Sequence, residues 1–155
     1  MSIKRRIILK GTLASGIMGS AIGIGLLRPN VVRAAWPENN FHKTSLNDAM
    51  HSLGVSDLSM TTDITINAPK LAEHGALVPI TIHSEIPDIE QISILVDKNP
   101  QPLCATFELN QNCRGYVSTR IKMKTTSNVI AVVKAGGKYY SNRTVVDVAI
   151  GGCDD

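Results

Sequence analysis

Six or seven stretches of this chain alternate apolar with polar residues or are dense in β-branched ones, and no helical pattern lies between them. They are 63–67, 77–83, 91–97, 104–109, 116–123, 129–134 and 138–150. A period of two sends successive side chains to opposite faces of a sheet, so each stretch reads as a strand with one face to bury. Turn formers punctuate the series: Asn67-Ala68-Pro69, His74-Gly75, Ile86-Pro87-Asp88, Asn99-Pro100-Gln101-Pro102 and Gly136-Gly137. Closely spaced strands with no crossover helices predict an antiparallel β-sandwich. Gly136-Gly137 between two strand patterns predicts a tight hairpin.

One short helix precedes the strands. Leu46, Ala49, Met50 and Leu53 recur at helical spacing, Ser45 with Asp48 has the form of a capping box, and Gly54 is a natural stop. The segment before it, Trp36 to Lys43, reads as a polar lead. Val78, Ile80 and Ile82 form one face of a strand that suits either the core or an interface, and burial in the sandwich is the expectation. The last strand places Thr144, Val146, Val148 and Ile150 on one face and Val145, Asp147 and Ala149 on the other.

Directly after Ile150 the chain reads Gly151-Gly152-Cys153-Asp154-Asp155. Glycines weaken continuation of a strand, so Cys153 is expected on a flexible tether. Three residues reach at most roughly 10 Å when extended, enough to carry a thiol into a narrow pocket while the folded body stays outside. A frayed tail with an incidental cysteine, or one that pairs with another chain, fits the same residues.

At the other end, Lys4-Arg5-Arg6 precedes an uncharged stretch from Gly11 to Leu27 rich in Gly, Ser and Ala. Adjacent arginines before a moderately apolar stretch have the form of a twin-arginine export signal. Five glycines make the stretch a poor spanning helix, so no stable membrane insertion is expected after its removal. Val32 and Ala34 suit a small-residue cleavage site, so residues 1–34 are the expected signal, 35–150 the folded domain and 151–155 a C-terminal arm. The formal charge of the whole chain is +3, but loss of 1–34 removes six basic and no acidic residues, leaving ten against 13 and a charge of −3. No basic run remains, so nucleic-acid binding has no support. Export through this route implies a periplasmic or external location and cargo folded, or already assembled with a partner, before it crosses.

Cys104 and Cys113 bracket a strand and the turn after it, and in an oxidising compartment this spacing suggests a possible disulfide. The alternative is two thiols packing as small hydrophobes. Cys153 is the odd cysteine either way. His42, His51, His74 and His83 show no paired ligand spacing, and a thiol with two carboxylates on a tether makes a poor metal cage, so no metal site is expected. Serine-hydrolase elbows, phosphate loops and dinucleotide fingerprints are absent, and no Cys-x-x-Cys pair supports a dithiol redox enzyme.

Several segments together resemble the SoxY family of sulfur carriers. They are Asn67-Ala68-Pro69, Ala72-Glu73 with Gly75, Val78-Pro79-Ile80, Asp97-Lys98-Asn99-Pro100 with Pro102-Leu103, Ser118-Thr119-Arg120-Ile121-Lys122-Met123, and Gly151-Gly152-Cys153. The run is collinear over about 60–153. The resemblance implies an immunoglobulin-like sandwich, a heterodimer with SoxZ, and Cys153 as the covalent attachment point for thiosulfate-derived sulfur. It implies that SoxAX-type haem proteins load the thiol, that a SoxB-type hydrolase releases sulfate, and that SoxCD-type enzymes process the remaining sulfane sulfur. This chain would then be a carrier with no cofactor and no catalytic residues of its own. One departure stands out: the family tail usually closes Gly-Gly-Cys-Gly-Gly, whereas Asp154 and Asp155 follow Cys153 here. Carboxylates beside the thiol disfavour its thiolate and repel anionic thiosulfate. The rival expectation is an exported sandwich that serves in assembly, with Cys153 making an intermolecular disulfide.

Overall fold

A computed structural model describes residues 38–110 and 112–150. All of them belong to the compact unit Pro37–Asp155. The expected signal (1–34) and the arm (151–155) lie outside the described residues.

Two short helices come first, α1 (Glu38–Phe41) and α2 (Leu46–Ser52). Ser45 caps α2 as its sequence foretells: Asp48 N–H donates to Ser45 Oγ at 3.1 Å, and the Ser45 hydroxyl donates to the Asp48 carboxylate at 2.7 Å. Gly54 ends it with φ +80°, a conformation that a side chain would strain. Helix α1 falls in the lead read as merely polar.

Nine strands follow: β1 (Leu58–Met60), β2 (Ile64–Asn67), β3 (Leu71–His74), β4 (Val78–Ser84), β5 (Ile89–Val96), β6 (Leu103–Glu108), β7 (Tyr116–Ile121), β8 (Ser127–Ala135) and β9 (Lys138–Ile150). One sheet runs β1-β9-β8-β5-β6, with β3 also paired to β9, and the other runs β2-β4-β7. The seven predicted strands are all present. The Gly136-Gly137 hairpin is too, with both glycines at positive φ (55° and 72°) and Ala135 opposite Lys138. Beside it, Lys134 Nζ lies 2.7 Å from Glu90 Oε2, and Gly137 N–H donates to Glu90 Oε1 at 3.0 Å. The Lys134 hydrogen bond, and then that from Gly137, hold the Glu90 carboxyl below its usual range, while Glu90 raises Lys134.

The sandwich is not wholly antiparallel. Strands β1 and β3 pair in parallel with β9, Leu58 opposite Tyr139 and Leu71 opposite Asp147. Strand β9 offers backbone groups in two places: β8 takes one edge as far as Val146 and leaves the other beside Tyr139–Ser141 for β1, while β3 pairs where β9 runs on past β8, from Asp147 to Ile150.

Between the sheets lies the main core, with Ile64, Val78, Ile80, Ile82, Ile92, Ile94, Val96, Val129, Val133 and Val146 all essentially inaccessible. Val78, Ile80 and Ile82 are therefore core. Across the larger sheet a second cluster forms, in which Ala49, Leu95, Leu103 and Val132 pack with Phe41, Leu46, Met50, Leu53 and Tyr139. The helices thus cover part of its outer face, which explains why β5 is buried without interruption from Ile92 to Val96. Asn142 Nδ2 donates to Ile64 O at 2.6 Å and ties β9 to the smaller sheet.

Candidate functional site

The arm residues Gly151, Gly152 and Cys153 lie outside the described residues, so the site is built from the point where the arm starts. That point is held. Gly75 N–H donates to Ile150 O at 2.7 Å, Asp147 N–H to Lys70 O at 2.9 Å, and Val148 N–H to Thr126 Oγ1 at 2.9 Å. The Ile150 side chain is 55% exposed while its carbonyl is bonded, so β9 keeps its backbone order after its core face has run out.

Gly75 carries the anchor inward. Its carbonyl accepts from Met123 N–H at 2.7 Å, and Met123 is fully buried. The adjoining turn is clamped by Asn99, itself 9% exposed. Its Nδ2 donates to Lys122 O at 2.7 Å and its Oδ1 accepts from Lys124 N–H at 2.9 Å. The same amide nitrogen lies 3.7 Å from Cys104 Sγ, and the Cys104 thiol donates to Pro102 O at 3.6 Å. Three of the segments behind the family resemblance, around Gly75, Asn99 and Lys122-Met123, therefore converge by hydrogen bonds at the root of the arm.

Next to the clamp opens a cavity of about 440 Å³ lined by Asn99, Gln101, Cys104, Arg120 and Lys122 among others. Cys104 is half-buried in its lining and packed against the main core, and Arg120 and Lys122 add two cations to the same lining.

The expected Cys104–Cys113 disulfide is not formed. Strand β6 holds the two apart. Cys104 stands near its start and Cys113 beyond its end, and extended chain rises about 3.3 Å per residue, so Cys104 to Glu108 alone spans roughly 13 Å. A disulfide needs Cα atoms within about 7 Å. Cys113 is instead exposed in the turn after β6, its thiol donating to Asn110 Oδ1 at 3.2 Å, in a second groove of about 500 Å³ with His83, Leu109, Arg114 and Tyr116. The sequence shows eight residues between the cysteines but not that the first four of them run straight in β6.

Among the described residues no three His, Cys, Asp or Glu side chains come together to hold a metal ion. No described helix is long and apolar enough to cross a membrane. Sequence reasoning missed β3, the Asn99 clamp and the pairing of Arg120 and Lys122 with Cys104. Strand β3 has only four residues and two of them are charged or titratable, Glu73 and His74, which leaves its alternation too faint to read.

A two-sheet β-sandwich whose last strand ends in a cysteine-bearing arm defines a narrow class, and comparison with known proteins fills it in. The description "Sulfur oxidation protein SoxY" matches residues 50–153. The structure of the sulfur carrier protein SoxY from Chlorobium limicola f thiosulfatophilum is 38% identical, with 68% of this chain and 97% of that one covered and a TM-score of 0.62. The chain belongs to the SoxY family. A superoxide reductase (neelaredoxin) from Ignicoccus hospitalis, 13% identical over 57% of this chain and 81% of that one at a TM-score of 0.51, shares the fold alone. No curated protein matches the chain.

Proposed function

We propose that this protein is an exported sulfur carrier that holds thiosulfate-derived intermediates covalently on Cys153 during thiosulfate oxidation. The observation that carries the reading is the anchored end of β9. The chain is fixed by backbone hydrogen bonds up to Ile150, and Gly151-Gly152-Cys153 follows at once. Membership of the SoxY family supports a carrier role in sulfur oxidation. The thiol is the handle, and the redox and hydrolytic steps belong to visiting enzymes of the SoxAX, SoxB and SoxCD types. An unperturbed thiol supplies a few per cent thiolate at neutral pH, enough for a nucleophilic handle that others activate.

On this reading the twin-arginine motif delivers the protein to the periplasm together with SoxZ, its heterodimer partner. The test is an intact mass, with mapping of the C-terminal peptide, for protein purified without reductant from cells growing on thiosulfate. Thiosulfonate or extra-sulfur adducts on Cys153 that vanish with reductant are the expected result. A Cys153 that is unmodified, or linked only to a second copy, refutes the carrier reading and favours the assembly role.

A further inference from the structure

Four of the ten basic residues that follow residue 34 gather around one turn. Lys98 precedes Asn99 in the chain, the Asn99 side chain bonds the backbone of Lys122 and of Lys124, and Arg120 stands two residues before Lys122. The same part of the chain carries 13 acidic residues, so this cluster runs against the sign of the whole. Like charges repel, and collecting them costs stability unless an anion meets them. Among the described residues the ion pairs are His42–Glu38 and Lys134–Glu90, and none of the four cations enters one.

Two of the four line the cavity of about 440 Å³ beside the clamp. Arg120 lies on β7, the edge strand of the smaller sheet, and Lys122 follows directly after that strand ends. Extended chain puts residues two apart on one face at roughly 7 Å, which lets two side chains close on a single anion. Both backbones are fixed. Arg120 stands opposite Pro79 of β4, Lys122 O accepts from Asn99 Nδ2 at 2.7 Å, and Met123 N–H donates to Gly75 O at 2.7 Å. Gln101 brings an exposed amide that can donate as well. No carboxylate and no aromatic ring occurs among the described residues of the lining, so a cation is repelled and a nucleotide base finds nothing to stack on. The rest of the wall, Leu103 and Ile121 included, is largely apolar.

We infer that this cavity binds a small, doubly charged tetrahedral oxyanion between Arg120 and Lys122. Sulfate and thiosulfate share that charge and shape, and thiosulfate is sulfate with one oxygen replaced by a less strongly hydrated sulfur. A site with cations on one side and an apolar wall on the other therefore favours thiosulfate. Through Met123 and Gly75 the cavity borders the turn that anchors Ile150, so the anion is held without a covalent bond beside the fixed end of β9. The carrier reading supplies the choice of probes and nothing else.

The test uses the full chain with Cys153→Ser, which removes the covalent handle, so its failure leaves the carrier reading standing. Backbone amide shifts are followed by NMR as sodium thiosulfate or sodium sulfate replaces sodium chloride at constant ionic strength. Amides of Gln101, Lys122 and Lys124 should shift and saturate in the millimolar range, since exposed charge contacts are individually weak. Thiosulfate should saturate severalfold below sulfate, and equal affinities would still support the oxyanion class, without a preference for sulfur. Arg120→Gln/Lys122→Gln should weaken binding at least about tenfold. Lys98→Gln/Lys124→Gln, which removes the same charge outside the lining, should weaken it less than about threefold. All four positions are exposed, and an unchanged unfolding midpoint checks that each variant is folded. Shifts that do not saturate, or equal losses in the two double variants, would overturn the proposal by showing only diffuse attraction to a basic surface.

Discussion

Replacing Asn99 with alanine should be among the most damaging single changes outside the hydrophobic core. The amide orientation is forced, since Lys124 N–H can only donate and Lys122 O can only accept, so both halves of the side chain are committed. Alanine deletes two hydrogen bonds worth about 1 kcal/mol each and leaves their backbone partners short of one, at about 1–3 kcal/mol for each that water fails to reach. Lys122 and Lys124 are exposed, so water recovers part of that loss, and the expected net cost is about 2–4 kcal/mol. For a domain of this size that lowers Tm by roughly 8–15 °C. Urea unfolding followed by circular dichroism reads it as a lower midpoint with unchanged slope. Asn99→Asp is the informative control. It keeps an acceptor for Lys124 N–H but turns a carboxylate oxygen toward the Lys122 carbonyl, so it should not restore stability. A loss below about 0.5 kcal/mol for Asn99→Ala would refute the clamp and show that water closes the turn equally well.

Gly115→Ala should destabilise by about 1–3 kcal/mol, because a Cβ there would lie 2.5 Å from both Ser84 O and Ile89 Cδ1; chemical denaturation measures it, and wild-type stability would discount the close approach. The Glu90–Lys134 pair gives a pH signature: Glu90, lowered in the folded state, adds stability above its unfolded pKa that disappears as pH falls through the folded value. Lys134, raised, adds stability present below its unfolded pKa and lost as pH rises through the folded one. Glu90→Gln should flatten the difference in Tm between neutral buffer and buffer acidic enough to protonate carboxylates, and salt should shrink it further, since both groups face solvent. Thr126→Val should raise the exchange rate of the Val148 amide at least about tenfold, read by hydrogen exchange, with little effect on core amides of β8. Asp154→Gly/Asp155→Gly should speed thiosulfate loading of Cys153 by purified partner enzymes if tail charge opposes it, and an unchanged rate would sink that argument.

What the sequence reveals here is whatever one strand can declare alone. Strands β4, β8 and β9 announce themselves because Val78, Ile80 and Ile82, or Val129, Ala131 and Val133, repeat with a period of two against a single core. Strands β1 and β3 do not, since they are three and four residues long and exist because β9 offers free backbone beside them. That is a property of pairing, which no local pattern encodes. The disulfide expectation failed for a related reason. Spacing along the chain measures distance only when the intervening conformation is known, and β6 turns a short separation into a long one. Conversely, Cys104 lies far from Cys153 in sequence yet near the root of its arm, because Gly75 and Asn99 stitch together turns from three different parts of the chain.

The bonds at the end of β9 also set how well a tethered thiol is delivered. If Thr126 and Gly75 released the last strand as far as Val146, the free segment up to and including Cys153 would grow from three residues to seven. The effective concentration of a tethered group falls roughly as the −3/2 power of tether length once the span is met, so this fraying would dilute the thiol about three- to fourfold at any docked active site. It would also let the arm fold back on the body, at the cost of the extended reach a narrow active site demands. A short flexible arm is therefore useful only on a root that does not fray. Here the root is held by hydrogen bonds from a threonine side chain and a glycine backbone, not by burial of Ile150, which is more than half exposed. On the carrier reading, substitutions at Thr126 should slow sulfur loading in step with their effect on Val148 exchange while leaving global stability nearly unchanged, a correlation that a purely structural role for the threonine would not produce.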